Sequence, residues 1–185
     1  MSNILDTGIR NIRNVQRFTI GTDAISDLSS LIKDHRQGDQ PVVFFVDEFF
    51  ESNTNYKHII DMHSSDCLLY VATKNEPTTE YIDNKVTELH NKGITSPSVI
   101  IGIGGGITMD IAKAVSNLLT NGGKAEDYQG WDLVKNPGIY KLAIPTISGT
   151  GAEATRTCVM TNKKSGLKLG MNSDYTVFDQ IIMDP

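Results

Sequence analysis

The feature of this sequence that most constrains its fold is a glycine-rich run between an apolar segment and an amphipathic one. Residues 102–113 read GIGGGITMDIAK, and the apolar segment 99–103 leads into them. Glycine lets the backbone turn sharply and approach a ligand, and the free N–H groups of a following helix attract negative charge. The run predicts a strand, a turn and a helix that hold the phosphate of a nucleotide. A turn that only packs a helix on a sheet has the same pattern.

Strand and helix patterns alternate around this run. Apolar stretches predict strands at residues 15–20, 42–46, 67–72, 99–103, 141–144 and 180–183. Apolar residues at helical spacing predict helices at residues 24–32, 82–93 and 108–119. Repeated strand–helix units imply an α/β fold with a parallel sheet, and ligands of such sheets bind at the carboxyl ends of the strands.

The pattern changes after residue 120. Residues 128–132 (YQGWD) are predicted to lie in a loop, and residues 145–153 are predicted to form a second loop of small residues after the strand 141–144. The hydroxyl groups of this second loop can donate to phosphate or ribose oxygens, and local capping of a surface turn is the alternative. A late β-hairpin is predicted over about residues 155–171. No internal repeat divides the sequence, so we expect residues 1–185 to form a single domain.

Composition and charge exclude several classes of partner. The chain has 185 residues and a formal net charge of −5, which argues against nucleic acid or an anionic membrane. Cys67 and Cys158 are far apart in sequence, which predicts two reduced thiols. The N-terminal residues lack the pattern of a signal peptide, and no apolar run reaches the roughly 18 residues that span a bilayer. We expect a cytoplasmic protein with a small-molecule ligand, and a homodimer stays open.

Five segments together match one family in order and spacing. They are FTIG at 18–21, Asp47, the run 104–113, IPTISGTGAE at 144–153 and IIMDP at 181–185. They resemble the N-terminal half of the iron-containing (group III) alcohol dehydrogenases. Residues 128–132 and 169–180 are most similar to the branch that oxidises 3-deoxy-manno-octulosonate at its terminal hydroxyl, the 3-deoxy-manno-octulosonate 8-oxidases. The resemblance implies a parallel-sheet, Rossmann-like dinucleotide-binding domain.

The resemblance also implies roles for individual residues in binding NAD(P). Those on the pyrophosphate side are Gly104, Gly105, Gly106, the backbone of Ile107, and Asp110. Those on the nicotinamide side are Thr146, Ser148 and Thr150, and Lys168 matches a basic position near the cofactor. Asp47 would accept hydrogen bonds from the adenosine ribose and repel a 2′-phosphate, which favours NAD over NADP. The alternatives are a strand-end cap for Asp47 and a solvated surface charge for Lys168.

Two positions depart from the family pattern. Ile107 stands where the family usually has Ser, so a hydroxyl contact to phosphate is lost while the backbone N–H remains. Ile147 and Ser148 replace the usual Thr-Ala in the second loop. We therefore assign no hydroxyl role to Ile147, and we expect weaker phosphate binding at Ile107.

The resemblance places the family's metal outside this sequence. The iron or zinc of the family is held by an Asp and three His of a C-terminal helical domain, and the sequence reaches Pro185 before such a domain would begin. The four histidines here lack the spacing of metal ligands and are expected at the surface: His35, His58, His63 and His90. We expect the helical metal domain to be absent, with no catalytic residue and no metal ligand in residues 1–185.

Two functions compete on these grounds. The chain is either the cofactor domain of a metal-dependent alcohol dehydrogenase or oxidase that acts on a sugar-acid or polyol hydroxyl, or a free-standing nucleotide-binding module. The first is expected to need the missing domain for its substrate and for catalysis. The second would lack catalysis of its own and would pair with a separate metal-bearing chain or only bind a dinucleotide. A phosphosugar-binding domain on the same sheet stays as a third interpretation, because a fold does not fix its ligand.

Overall fold

Two β-sheets and three α-helices make up the regular structure of the described residues. A computed structural model of the chain describes residues 13–53, 60 and 62–185. The strands are β1 (Arg17–Ile20), β2 (Val42–Asp47), β3 (Cys67–Val71), β4 (Val99–Gly104), β5 (Gly130–Trp131), β6 (Lys141–Pro145), β7 (Thr157–Asn162), β8 (Leu167–Asn172) and β9 (Gln180–Met183). The helices are α1 (Leu28–Ile32), α2 (Thr79–Asn91) and α3 (Gly106–Asn121).

The larger sheet confirms the predicted parallel α/β architecture. Its strand order is β1-β9-β6-β4-β2-β3, and all its neighbouring pairs are parallel. Every residue of β2 and β4 is buried, as expected for apolar strands covered on both faces. The chain passes from β2 outward to β3 and then returns to β4 on the other side of β2. Ligands of such sheets usually bind where the strand order reverses, which here is at the carboxyl ends of β2 and β4.

Each face of the larger sheet has its own apolar core. Alternate side chains of the strands, such as Phe44 and Ile101, pack with Leu28 and Ile32 of α1 on one face. The intervening side chains, such as Phe45 and Ile100, pack with α2, α3 and the smaller sheet on the other face. The two-residue period of the strands therefore divides one apolar run between two cores.

The smaller sheet confirms the predicted late hairpin. Strands β7 and β8 pair in antiparallel fashion, and β5 adds to the other edge of β8 in parallel. Cys158, Met160 and Met171 are buried between this sheet and α3. Both cysteine thiols are free, as predicted. Within the described residues, no helix has the length and apolarity needed to cross a bilayer.

Several predicted boundaries differ from the structure. Residues Gly130–Trp131 were predicted as loop but form β5, since two residues carry no periodic signal and their strand is defined by its partner β8. The predicted helix at 24–32 is only the five residues of α1 flanked by 3-10 turns. Strand β1 starts at Arg17 rather than at residue 15. Helix α3 is two residues longer at each end than predicted, because Gly106 enters its first turn.

Candidate functional site

The glycine run connects the carboxyl end of β4 to the amino end of α3. Gly104 ends the strand, Gly105 is the N-cap residue, and the helix begins at Gly106. Gly105 has no side chain with which to accept a hydrogen bond, so the cap leaves the first-turn N–H groups without a side-chain partner. Free N–H groups at the amino end of a 16-residue helix favour an anion. The predicted strand–turn–helix junction is therefore present, and phosphate binding at it stays a prediction.

Gly104 allows a close approach that another residue would block. Its φ is +154°, and a Cβ at this position would lie 2.5 Å from Thr108 Oγ1 and 3.0 Å from Asp47 Cβ. Thr108 is fully buried, and its hydroxyl oxygen has no hydrogen-bond partner among the described residues. The ends of β2 and β4 therefore meet at Gly104 with no space for a side chain.

The second small-residue loop lies directly over the glycine run. Thr146 N donates to Gly104 O at 2.9 Å. A Cβ at Gly105 would lie 3.1 Å from Ile147 Cδ1, and one at Gly106 would lie 3.4 Å from Thr150 Cβ. Thr146, Ser148 and Thr150 are all exposed. The structure thus brings the predicted nicotinamide-side hydroxyls next to the predicted phosphate loop, because the two loops follow the adjacent strands β4 and β6.

Asp47 is buried at the end of β2, beside the glycine run. Its Oδ1 accepts hydrogen bonds from Phe49 N and from Thr73 Oγ1, each at 3.0 Å. No described residue donates to Oδ2. The carboxylate therefore caps the turn after β2, which is the structural alternative foreseen for it, and still has one oxygen for a ligand hydroxyl.

Asp110 and Lys168 each have a partner within the chain. Asp110 Oδ2 accepts a hydrogen bond from Val159 N of β7 at 3.0 Å. Burial raises the pKa of Asp110 to about 6, against the opposing effects of that hydrogen bond and of Lys113. Lys168 forms an ion pair with Glu76, and about half of each side chain is exposed. Both residues lie near the glycine run or its helix, and a direct contact with a dinucleotide stays a prediction for both.

Two residues of the site were not assigned by sequence reasoning. Lys113 is fully buried on α3, and its Nζ donates to backbone carbonyls of the second loop and of β7. Thr73, after β3, holds Asp47 through its hydroxyl. Nothing in the sequence indicates either contact, since α3 is buried on nearly every side and Thr73 is 26 residues from Asp47.

The described residues do not fit a metal centre. Within residues 13–53, 60 and 62–185, no three His, Cys, Asp or Glu side chains are close enough to hold an ion. His35 is half-buried and stacks on Tyr140 with ring centroids 3.5 Å apart, while His63 and His90 are exposed. His58 lies outside the described residues. We therefore assign no chemical step to a metal held by these side chains.

Sequence comparison links the chain to known dehydrogenases. It is 40% identical to the sulfoacetaldehyde reductase of Bilophila wadsworthia over 63% of this chain and 29% of that protein. It is 30% identical to alcohol dehydrogenase 4 of Schizosaccharomyces pombe over 70% of this chain and 30% of that protein. The chain thus matches less than a third of the length of either relative.

Structural comparison finds the same fold in solved oxidoreductases. A 1,3-propanediol oxidoreductase superposes with a TM-score of 0.81 at 19% identity, over 96% of this chain and 46% of that one. The sulfoacetaldehyde reductase of Bifidobacterium kashiwanohense, solved with NAD+, superposes with a TM-score of 0.77 at 20% identity, over the same shares. These likenesses show the fold. The iron-containing alcohol dehydrogenase family model matches residues 16–185, so the chain belongs to that family and corresponds to its N-terminal part.

Proposed function

We propose that this chain is the dinucleotide-binding part of a metal-dependent alcohol dehydrogenase or oxidase, with NAD as its cofactor. The observation that carries the proposal is the glycine junction between β4 and α3, which offers free N–H groups at the switch point of a parallel sheet. A neighbour of the same fold was solved with NAD+, which supports the assignment. A cytoplasmic location and a homodimer stay predictions.

The proposed cofactor lies across the two loops. The pyrophosphate contacts the backbone of Gly104, Gly105, Gly106 and Ile107, and Ile107 supplies only its N–H. The nicotinamide ring lies against Thr146, Ser148 and Thr150, whose hydroxyls are exposed beside the glycine run. A bound NAD+ would supply the hydride acceptor for the oxidation of an alcohol to a carbonyl compound, with NADH and the released hydroxyl proton as the other products. The chain's own contribution is to bind and orient the cofactor.

Asp47 determines the choice between NAD and NADP in this proposal. Its Oδ2 accepts from the adenosine ribose hydroxyls, while Thr73 and Phe49 hold Oδ1. A 2′-phosphate would bring negative charge against this carboxylate. In this proposal Lys168, a partly exposed cation, lies near the negatively charged cofactor. Asp110 supports the glycine run indirectly, because its hydrogen bond with Val159 N holds α3 against β7.

The experiment that tests cofactor binding is a calorimetric titration of the folded chain with NAD. We expect weak binding, which Gly105→Val reduces sharply because the branched side chain collides with Ile147 and occupies the space of the phosphate. Gly93→Val is the control for a strained backbone away from the two loops, since Gly93 follows α2 at the amino-end side of the sheet, has a φ of +77° and has open space for a side chain, whereas the φ of Gly105 is −90°. A folded chain that binds no NAD at millimolar concentration would contradict the proposal, and an unchanged affinity in Gly105→Val would assign the glycines to packing alone.

The proposed substrate is a sugar-acid or polyol hydroxyl. This class is supported by the similarity of residues 128–132 and 169–180 to the 3-deoxy-manno-octulosonate branch, and the structure pairs these two segments as β5 and β8. The relative named sulfoacetaldehyde reductase favours a second candidate, a small anionic aldehyde. Steady-state assays of the protein together with a metal-binding half distinguish the two. A higher kcat/KM for sulfoacetaldehyde than for the octulosonate would favour the second candidate.

A further inference from the structure

The buried ammonium group of Lys113 lies at the centre of a set of backbone carbonyls. Its Nζ donates to Ala152 O, to Thr155 O at 2.8 Å and to Thr157 O at 2.9 Å. The Phe178 ring lies on another side, with its centroid 5.4 Å from Nζ. A fully buried cation is unfavourable unless its donors are satisfied, and here three N–H groups meet three carbonyls and the Thr155 hydroxyl oxygen, which lies 3.2 Å from Nζ.

Ala152 O belongs to the end of the second loop, Thr155 O follows the loop, and Thr157 O is in the first residue of β7. The loop begins at Thr146, whose N–H donates to Gly104 O, and it contains Gly149 and Gly151 with φ of +88° and +69°. Residues 146–150 are exposed, so little packing holds them. The β4 carbonyl anchors one end of the loop, and Lys113 anchors the other from inside the core.

We propose that Lys113 is a positioning residue that fixes the second loop in the geometry that binds the nicotinamide end of the dinucleotide. The identity of the ligand rests on the proposed function. The anchoring of the loop by Lys113 rests only on the hydrogen bonds described above. A protonated Lys113 donates to all three carbonyls, whereas a neutral amine has only two N–H groups for them. The Thr155 hydroxyl is the other donor within reach, at the longer distances of 3.3 Å to Ala152 O and 3.4 Å to Thr157 O, so the neutral amine holds the segment less firmly. The charge on Lys113 is thereby coupled to the order of the loop.

The charged and titratable groups around Lys113 define the pH range of this coupling. They are Asp110 on α3, Glu153 in the loop, Cys158 on β7 and Lys141 on β6. Burial lowers the pKa of Lys113 to about 8, with Asp110 opposing the shift. The pKa of Asp110 is about 6, so its carboxylate is already ionised when Lys113 begins to lose its proton. The buried Cys158 has a strongly raised pKa and stays neutral.

The test compares Lys113→Met with Lys141→Met. Lys141 is also buried, with its Nζ 3.8 Å from Asp179 Oδ2, and none of its recorded hydrogen bonds reaches the second loop. We expect Lys113→Met to bind NAD about tenfold more weakly, the size of one charged hydrogen bond, and Lys141→Met to keep the native affinity. Between pH 7 and 9.5 the affinity of the native protein should fall, and that of Lys113→Met should not change.

Hydrogen exchange of residues 146–155 without NAD separates this inference from the proposed function. Faster exchange there in Lys113→Met, but not in Lys141→Met, supports the anchor even if the chain binds no NAD. Native exchange and native affinity in a folded Lys113→Met would overturn the inference. Should Lys113→Met not fold, the native pH profile decides: a flat affinity and flat loop exchange from pH 7 to 9.5 would also overturn it.

Discussion

At the scale of single residues, the site depends on side chains held by distant partners. Asp47 is oriented by Thr73, and Lys113 reaches the loop 39 to 44 residues further along the chain. The glycines of the run were identifiable from sequence because their chemistry is local. The contacts of Asp47 with Thr73 and of Lys113 with the loop could not be identified from sequence, because only the fold brings these residues together.

The pairing of Asp47 with Thr73 leads to a prediction about cofactor choice. Asp47→Gly should narrow the preference for NAD over NADP, because the carboxylate no longer accepts from the ribose or repels a 2′-phosphate. Thr73→Val should narrow the preference for NAD less, because Asp47 keeps its charge and the Phe49 N–H as a partner and loses only the Thr73 hydroxyl. The ratio of the two dissociation constants measures both effects.

The control for this prediction is Thr87→Val, an exposed threonine on α2 whose hydroxyl bonds only within its helix. Its NAD to NADP ratio should equal that of the native protein. An unaltered ratio in Asp47→Gly would show that Asp47 serves only as the cap of the turn after β2.

At the scale of elements, Asp110 joins α3 to β7, and the free energy of unfolding depends on whether this buried carboxyl is charged. Its raised pKa means that the folded state holds the proton more tightly than the unfolded state does. Stability contributed by the protonated carboxyl is therefore complete at low pH and is lost as pH rises through about 6. The Val159 N–H donates to the side chain in either state, so this contact persists while its surroundings change in charge.

Asp110→Asn should remove this pH dependence. The amide oxygen still accepts from Val159 N, and it carries no charge. The free energy of unfolding of the native protein, relative to the variant, should fall by on the order of 2 kcal/mol between pH 4 and 7. Urea titrations at a series of pH values measure it. Asp39→Asn, at an exposed carboxylate, is the control. If the free energies of unfolding of the native protein and of Asp110→Asn changed in parallel between pH 4 and 7, the prediction would be wrong.

The elements also show what sequence patterns can predict. Strands β2 and β4 were identified because both faces are buried, which leaves a continuous apolar run. Strand β5 was missed because two residues have no period and pair through β8 alone. Helix α1 was predicted too long, since the apolar spacing continues through 3-10 turns that pack on the same core.

At the scale of the whole molecule, the chain covers 46% of the solved relatives compared above. Because the described residues hold no metal-ligand cluster, we expect the 185-residue chain alone to bind no stoichiometric iron or zinc. We also expect no NAD-dependent oxidation of alcohols or 3-deoxy-octulosonate, because the part of the chain that the structure describes offers no ligand set for a cation that would polarise the alcohol. Elemental analysis measures the bound iron or zinc, and the absorbance of NADH measures the oxidation.

A helical metal-binding half, fused or added as a separate chain, should restore both metal and turnover. Stoichiometric metal with turnover by the chain alone would refute the prediction. The search for ligands would then begin with Asp47, Asp110, Glu153 and the histidines. A chain that binds NAD but gains nothing from such a half would favour the free-standing module.

The pairing of β1 with β9 has a consequence for how the protein is made. These strands join the two ends of the described chain, Arg17 with Gln180 and Ile20 with Met183, and Asp184 then accepts from the N–H groups of Asp23 and Ile25. On the ribosome, β1 emerges first and has no partner until β9 has been synthesised. Closing so long a loop is slow, so β1 stays unpaired until residues 180–183 have been made, and the sheet completes late.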